Sequence, residues 1–332
     1  MGKIRKLYYF DKKETEEMIS FLNNRVNDKY INSTMFNPLL LLHHLLPLKL
    51  KFLPESFVLE EGKEIKGLIT VAPTKSLEKK MEIQKLLFEE NCFSHAAELV
   101  QYVVSKYKAK GATSIIVKVD DYLTELIEMF IFKCNFSQIS SEKLWRINKF
   151  IDAPFKNEEF RAFRDADTKV ISSIYNDSLL PHFRPLLYNE PFEYRENLCK
   201  GLSPYCEYKY IIQDLTSKKI LGCVIIQTLD NENFIVDLIK SNWTNLDIIS
   251  IISFAISQIR KRKNKFGLFI KTKQYIADNE KLEELFAQNG FECAQNQIIL
   301  TNSSAKVLKD NSSERKYTIL TDFMPNIPLP NQ

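Results

Sequence analysis

The sequence predicts an α/β (α+β) fold of two tandem domains, each a twisted mixed β-sheet flanked by helices. The first observation is that one order of elements occurs twice: strand, helix, β-hairpin, strand, long helix, strand, short helix, final strand. The second is a constant spacing. Gly67 and Gly222 lie 155 residues apart (222 − 67), and Phe136 and Phe291 are separated by the same 155 (291 − 136). Two matches at one offset indicate an internal duplication.

The elements of the first half follow from apolar periodicity and turn residues. In chain order, the sequence predicts a strand at 6–10, a helix at 11–22, a buried helix within 39–53, a hairpin at 56–74 turning at Gly62, a strand at 81–87, a helix at 94–110 ended by Gly111, a short buried strand "TSIIVKVD", and a helix in "TELIEMFIFKCNFS".

The second half repeats this order. In chain order, we predict a strand at 158–163, a helix at 165–179, three strands within 208–239, a long helix within 246–267, a strand "GLFIKTKQY", a helix in "NEKLEELFAQNGFE" stopped by Gly290, and a last strand. Pro154 and the polar residues around it predict the boundary, which gives domains at 1–152 and 157–332. The apolar end of the chain after Thr301 predicts one extra strand.

Composition is typical of a globular protein. The 332 residues are 45% hydrophobic and 27% charged, which is enough for two cores. The net charge of +4 is spread over the chain, so a nucleic-acid partner is not indicated. Six cysteines without a CxxC pair, and a start without an apolar signal core, predict a cytoplasmic protein. The run at 39–53 is too short to span a membrane, so no membrane partner is expected.

The helix in "NEKLEELFAQNGFE" carries a resemblance to a known family. Asn279, Phe286, Gly290 and Phe291 fall at the steps where the GNAT acyltransferases often have Asn, an aromatic residue and Gly-Phe. The stretch "KKILGCVII" also resembles the third strand of that family. The resemblance implies two GNAT-like domains. It further implies acetyl-CoA or another acyl-CoA as cofactor, with a small-molecule or protein amine as acceptor.

In that family a loop patterned Gln or Arg, two residues, Gly, one residue, Gly or Ala receives the coenzyme A diphosphate at a helix N-terminus. Neither half has this motif. The second half has bulky residues at the equivalent place, Leu246, Ile248 and Ile249. We therefore predict the acyl-CoA in the first half, at the segment nearest to the missing motif. The predicted binding residues there are Leu87, Phe88, Asn91, Ser94, His95 and Ala96, and the resemblance of the last helix adds Asn279 and Phe286. The alternative is that Ser94 is only a helix cap.

The resemblance also implies a carboxylate base on the fourth strand. Glu82 and, at an offset of 155, Asp237 are the predicted catalytic residues, and the alternative is that both are solvated strand residues. The tyrosine that often protonates the thiolate is replaced by Phe286. No metal is predicted, although Cys92 and His95 lie together in the presumed loop.

Three functions are compatible with these residues. The first is an acyl-CoA-dependent N-acyltransferase with at least one degenerate half. The second is an inactive GNAT-like binding or regulatory protein, which the missing glycine motif favours. The third is an aminoacyl-tRNA-dependent transferase, which the mild net charge supports only weakly. The oligomeric state stays open.

Overall fold

The computed structural model describes residues 2–11, 13–15, 54–74, 79–89, 92–148, 158–195, 206–228, 231–242 and 244–303. The predicted helix at 39–53, most of the helix at 11–22, the predicted boundary around Pro154 and the extra strand at the end of the chain lie outside these residues. Asn91 lies outside them as well.

One twelve-stranded sheet runs through the described structure. Its strands are β1 Lys3–Lys6, β2 Glu55–Glu61, β3 Glu64–Pro73, β4 Lys80–Phe88, β5 Ser114–Asp120, β6 Ser137–Arg146, β7 Glu158–Ala162, β8 Cys206–Asp214, β9 Ile220–Thr228, β10 Asn233–Lys240, β11 Gly267–Lys273 and β12 Glu292–Ser303. Their spatial order is β1-β2-β3-β4-β5-β12-β6-β11-β10-β9-β8-β7. The predicted hairpin at Gly62 and the three strands of the second half are confirmed.

Helices cover both faces of this sheet. They are α1 Phe93–Ala109, α2 Thr124–Glu128, α3 Thr168–Ser178, α4 Arg184–Leu187, α5 Ile248–Arg260 and α6 Asn279–Gln288. A π-helical turn, Met129–Lys133, extends α2. The first predicted strand is shifted, because residues 9–11 form a 3₁₀ turn rather than strand.

The duplication is visible in matching contacts at the start of each half. Arg5 donates two hydrogen bonds of 2.7 and 3.0 Å to Asp11, and Arg161 donates two hydrogen bonds of 2.7 Å to Asp167. Both arginines and both aspartates are 156 residues apart (161 − 5 and 167 − 11). A bidentate pair fixes geometry as well as charge, so the same clamp ties the first strand of each half to the turn that follows it.

The final turns of the two halves also match. Gly290 has φ +73°, and its equivalent Asn135 (290 − 135 = 155) has φ 57°. Glycine and asparagine are the residues that tolerate this left-handed backbone best. Phe291 and Phe136 follow directly and are both buried. The sequence landmark therefore marks a helix stop and a core anchor in each half.

The last strands of the two halves are exchanged. The final strand of the second half, β12, pairs with β5 of the first half, with Leu300 opposite Val117. The final strand of the first half, β6, pairs with β11 of the second half, with Trp145 opposite Ile270. β12 and β6 then pair with each other and close the sheet. The domain assignment from sequence puts β12 in the second unit, whereas the structure places it against the first.

The two repeats are related about a point between Glu142 and Gln297. These residues are repeat equivalents (297 − 142 = 155) and pair with each other across β6 and β12. A residue that pairs with its own equivalent marks an approximate two-fold axis. Glu142 therefore stands where the two halves meet.

Each half has its own apolar core under its long helix. In the first half, Leu99, Val100 and Val103 of α1 pack with Phe57 and Ile115 of the sheet. Full burial of each such side chain is worth about 1.5–3 kcal/mol.

In the second half, Ile251, Ile252 and Ile256 of α5 pack with residues such as Val224 and Leu268. A further cluster on the opposite face joins α3 to the strands of both halves, since it contains Ile171 together with Ile116 and Ile299. No helix among the described residues is long and apolar enough to cross a membrane.

Candidate functional site

Each half contains one pair of parallel strands that part after a few residues. In the first half, β4 and β5 pair from Lys80 to Ile83, where the last partner is Val117. In the second half, β10 and β11 pair up to Val236, where the last partner is Ile270. The separation opens one edge of β4 and of β10, which exposes backbone hydrogen-bonding groups that a ligand can use. These two openings are the candidate sites.

A β-bulge in β4 makes the strand register at the first opening differ from that at the second. Along β3, Thr70 is opposite Lys85 and Val71 is opposite Ile83, so that Gln84 is an extra residue in β4. The equivalent part of β10 pairs with β9 without a shift, and Asp237 is opposite Ile225. Because Thr70 and Ile225 are equivalents (225 − 70 = 155), the counterpart of Asp237 is Lys85. The predicted equivalence of Glu82 and Asp237 is wrong, because Glu82 is opposite Ala72 and the equivalent Gln227 (227 − 72 = 155) is opposite Ile235. The connection from β9 to β10 is two residues shorter than the one from β3 to β4 (235 − 227 = 8 and 82 − 72 = 10), and the bulge then shifts the offset by one more residue.

Glu82 lies next to the first opening, one residue before the pairing of β4 with β5 ends. Its neighbours Met81 and Ile83 belong to the core under α1, so Glu82 lies on the opposite face of the strand and is half-buried. It is close enough to Lys118 to help raise the pKa of that ammonium, although burial acts in the other direction. Its assignment as a base stays a prediction.

Asp237 is held in an ion pair. Its Oδ2 accepts a hydrogen bond of 2.7 Å from Lys273 on β11, across the opening between the two strands. Its Oδ1 is buried and has no hydrogen-bond partner within the described residues. One oxygen of Asp237 is therefore already occupied by a lysine of the protein itself.

A buried charged cluster connects the two openings at Glu142. Lys118 donates to its Oε2 at 2.8 Å, and Tyr275 donates to its Oε1 at 2.6 Å. Lys271, the repeat equivalent of Lys118, lies 3.7 Å from the same oxygen as Lys118. Burial opposes the charge of Glu142, but the ammonium groups outweigh it and hold the pKa of this carboxyl far below its usual value.

Sequence reasoning did not single out this cluster. Glu142 is 4% exposed and Tyr275 5%, yet both come from stretches that read as ordinary strand and turn. Burial, followed by the charge of Glu142, raises the pKa of Tyr275 well above its usual value, so this hydroxyl stays protonated. The available signal was a lysine at the fifth residue of each of two matching buried strands. These are Lys118 in "IVKVD" and Lys271 in "FIKTK".

The predicted cofactor loop of the first half leads into α1. The helix begins at Phe93, and its flanking residue Cys92 makes no side-chain capping bond. Ser94 is therefore the second helical residue and not the cap. The small residues that follow it, Ala96 and Ala97, are buried in the core. The side chain of Ser94 is exposed. Helix geometry leaves the N–H groups of Phe93 and Ser94 without an acceptor inside the helix.

The equivalent helix of the second half is capped differently. The carboxylate of Asp247 accepts a hydrogen bond of 3.2 Å from the N–H of Ser250 in the first turn of α5. Leu246 and Ile248 are buried beside it. The carboxylate already offsets the partial positive charge of this helix terminus, and it would repel a diphosphate placed there. The starts of the two long helices therefore differ in charge.

The other first-half residues predicted to bind the cofactor surround the start of α1. Leu87 and Phe88 end β4 and are half-buried; Leu87 packs near Leu7, and Phe88 lies 5.4 Å from the Phe93 ring. His95 is half-buried next to Ser94, whereas Ala96 is fully buried and its methyl group faces the core. Ala96 can therefore serve a ligand only through its small size and its backbone.

Asn279 and Phe286 do not lie at an open surface, and their predicted role in cofactor binding is corrected. Asn279 is buried, accepts a hydrogen bond from the Lys273 N–H at 2.8 Å and donates to Glu283 at 2.8 Å, which joins α6 to β11. Phe286 is 1% exposed and packs against Trp145. These two of the four positions that carried the resemblance therefore maintain the fold.

Lys85 is a site residue that sequence reasoning missed. It lies on β4 directly after the bulge and shares the face of Glu82, at the start of the opening. Burial lowers the pKa of its ammonium to about 8, so a substantial fraction of this amine is neutral in mildly alkaline solution. Its signal was hidden, because the bulge that turns Lys85 to this face is not apparent from "MEIQKLL".

Comparison with protein-family models and with curated proteins gives no match. Solved structures do match over nearly the whole chain. A tandem GNAT protein from the clavulanic acid biosynthesis pathway has a TM-score of 0.60 at 8% identity, over 92% of this chain and 99% of its own. A GCN5-related N-acetyltransferase from Sphaerobacter thermophilus has a TM-score of 0.60 at 10% identity, over 91% and 95%.

A Drosophila protein is similar at a TM-score of 0.55 and 10% identity, over 92% of this chain and 100% of its own. Identities this low establish the fold and not the reaction. The chain therefore has the tandem GNAT fold, as the repeated order of elements predicts.

Proposed function

We propose that the protein is an acyl-CoA-dependent N-acyltransferase whose first half binds the acyl-CoA and whose second half is degenerate. The observation that carries the proposal is the contrast between the two long helices. The start of α1 has no capping side chain among the described residues, whereas Asp247 caps α5. A diphosphate is bound well by the free N–H groups and partial positive charge of a helix N-terminus.

The strand next to α1 offers the rest of a binding surface. Beyond Ile83 the pairing of β4 with β5 ends, so the edge of β4 that faces the opening provides backbone donors and acceptors. The pantetheine arm of coenzyme A carries two amide groups that suit such an edge, in the way that an added strand does. The exposed Ser94 beside the helix start leaves room for the phosphates.

The chemistry requires a proton acceptor near the thioester. The neutral amine of the acceptor attacks the thioester carbonyl, the C–S bond breaks, and an amide and a free thiol are formed; one proton leaves the amine and one joins the thiolate. Glu82 remains our predicted base in the first half, and Lys85 is a second group able to receive the proton when it is neutral. In the degenerate half, the counterpart of Lys85 is Asp237, which is held in an ion pair with Lys273.

The test is thermal unfolding with acetyl-CoA and longer acyl-CoAs. Binding stabilises the folded state by about 2.7 kcal/mol at a hundredfold excess over Kd. Ser94→Asp puts a carboxylate at the helix start without disturbing the core, because Ser94 is exposed. We expect this variant to retain its stability without ligand and to lose the ligand-induced shift.

Ile249→Asp is the matched control, because it changes the equivalent position of α5 (249 − 94 = 155). It should keep the shift, and circular dichroism verifies that it is folded. A shift lost in Ile249→Asp and kept in Ser94→Asp would move the cofactor to the second half. The absence of any shift with wild-type protein would reject the proposal.

The second candidate function is a GNAT-like binding or regulatory protein without catalysis. It is favoured by the Lys273–Asp237 ion pair and by the helix cap at Asp247, which together occupy the second opening with the protein's own groups. Steady production of free thiol from acyl-CoA and an amine would reject it. Thermal shifts without turnover would support it.

A further inference from the structure

We propose that Glu89, Cys92 and His95 form a binding site for a divalent metal ion of the zinc class. One ligand atom of each residue lies within 4.8 Å of the other two. A thiolate, an imidazole nitrogen and a carboxylate oxygen are the three ligand types that Zn²⁺ takes in proteins. This inference does not rest on acyl-CoA binding, and it departs from the sequence-based expectation of no metal.

The spacing of the three residues brings them together across the join between β4 and α1. Glu89 follows the end of β4, Cys92 directly precedes the helix with non-helical ψ of 55°, and His95 lies in the first turn. Two intervening residues separate each neighbouring pair. Short spacings of this kind are usual for ligands contributed by one loop and the helix after it.

The contacts around the cluster orient two of the ligands. Lys66 donates to Oε1 of Glu89 at 2.8 Å, while the other oxygen, Oε2, lies 3.9 Å from the Cys92 sulfur. Oε1 of Glu61 lies 3.8 Å from Nε2 of His95. A carboxylate at one imidazole nitrogen favours a proton there and leaves the lone pair on the other nitrogen for a metal.

The other nitrogen of His95, Nδ1, has surroundings that need an explanation. Nδ1 is buried and has no hydrogen-bond partner within the described part of the chain. A buried polar atom without a partner costs about 1–3 kcal/mol, and an ion is one of the few groups that remove this cost. A proton on Nε2, on the side of Glu61, would leave the lone pair on this atom.

The charges suit a dication. Glu89 and an ionised Cys92 contribute two negative charges, and His95 contributes a neutral donor. Bonds of about 2.0–2.3 Å require ligand atoms closer than 4.8 Å, so ion binding would draw the three groups together by roughly an ångström. Three chain ligands leave the fourth tetrahedral position for water. The ion would tie the end of β4 to the start of α1.

The experiment is a titration of the full-length chain with Co²⁺ and then Zn²⁺, after treatment with a chelator. Cobalt bound to a thiolate gives an intense near-ultraviolet charge-transfer absorption, which reports directly on a sulfur ligand. We expect this band to saturate at one Co²⁺ per chain and to disappear when Zn²⁺ is added. Cys92→Ser should abolish the band, and His95→Gln and Glu89→Gln should each weaken Co²⁺ binding at least tenfold.

Cys293→Ser is the matched control, since it removes an exposed cysteine of the second half. It should keep the band at full intensity. Glu61→Gln tests the orientation of His95 and should weaken binding tenfold or more while the band persists. A band that survives in Cys92→Ser, or wild-type protein without a saturable band, would overturn the proposal. Glu89 is exposed, so Glu89→Gln remains informative even where the cysteine variant folds poorly.

Discussion

Glu142 shows how one buried residue joins two repeats. Its carboxylate accepts hydrogen bonds from Lys118 of the first half and from Tyr275 of the second. Placing a charge in such a site is costly, and only the surrounding ammonium groups and hydroxyl offset this cost. A group of this kind contributes less to net stability than its contacts suggest, but its removal leaves the lysines uncompensated.

Replacement of Glu142 should therefore destabilise the whole molecule. For Glu142→Gln we expect a loss of about 3–5 kcal/mol in the free energy of unfolding, because the buried amines of Lys118 and Lys271 lose the carboxylate that lies nearest to both. Urea denaturation followed by circular dichroism measures it. Glu292→Gln, which changes an exposed glutamate of β12, is the control and should stay within about 0.5 kcal/mol of wild type.

The same residue predicts a pH dependence. The pKa of Glu142 is lowered in the folded state, so its contribution is complete above the unfolded pKa of about 4.3 and is lost as the pH falls towards the folded value. The stability difference between wild type and Glu142→Gln should be constant from about pH 5 to 8 and should shrink in more acidic solution. A difference that instead grows below pH 4 would contradict this assignment.

Strand β9 and its repeat equivalent β3 show a shared requirement for glycine with different surroundings. A methyl group at Gly222 would meet the backbone carbonyl of Ile239 on the neighbouring strand β10. At Gly67 the nearest atom would be Cδ1 of Leu99, at 2.8 Å, which belongs to a flexible side chain. Backbone cannot move without disturbing the ladder, whereas a leucine can change its rotamer.

Gly222→Ala should accordingly be the more damaging of the two matched substitutions. We expect it to cost about 1–3 kcal/mol through overpacking, and Gly67→Ala to cost less. Thermal unfolding of the two variants under identical conditions gives the comparison. Equal losses of stability in the two variants would contradict the difference inferred from the Leu99 and Ile239 contacts.

The elements themselves were largely predictable, because they depend on local patterns. Gly111 and Gly290 mark helix ends, Gly62 marks the hairpin, and all three have positive φ. The bulge at Gln84 has no local signature, since it arises from how β4 pairs with β3. For that reason Lys85 was overlooked, whereas Glu82 was matched to Asp237 because the connection from β9 to β10 is two residues shorter than the one from β3 to β4 (235 − 227 = 8 and 82 − 72 = 10).

The candidate cofactor site was only partly predictable for the same reason. Ser94 is exposed in the first turn of α1, and its role in cofactor binding stays a prediction. The burial of Asn279 and Phe286 follows from the packing of α6 against Trp145 and β11, which a helical pattern does not disclose. A motif that resembles a family can be retained because it stabilises the fold.

At the scale of the whole molecule, the exchange of β6 and β12 is the feature that sequence could not provide. Either final strand has the apolar pattern to fill either gap, because the halves are repeats. Pairing between distant strands is decided by tertiary context and not by local sequence. The consequence is that each half depends on a strand supplied by the other.

This dependence predicts that the halves do not fold separately. A fragment of residues 1–148 lacks β12, so β5 has an unpaired edge and β6 has neither of its neighbours. We expect this fragment alone to aggregate or to unfold without a cooperative transition. Mixed with a fragment of residues 158–332, it should form a stoichiometric complex with the circular dichroism spectrum of the intact chain.

Size-exclusion chromatography and denaturation of each fragment and of the mixture provide the measurement. In the intact chain the same argument requires one unfolding transition, because neither half can open without losing strand pairs in the other. Leu99→Ala in the first core and Ile252→Ala in the second serve as a matched pair, and both should shift that single transition. A first-half fragment that unfolds cooperatively as a monomer would show that β6 can return to its own half and that the exchange is not obligatory.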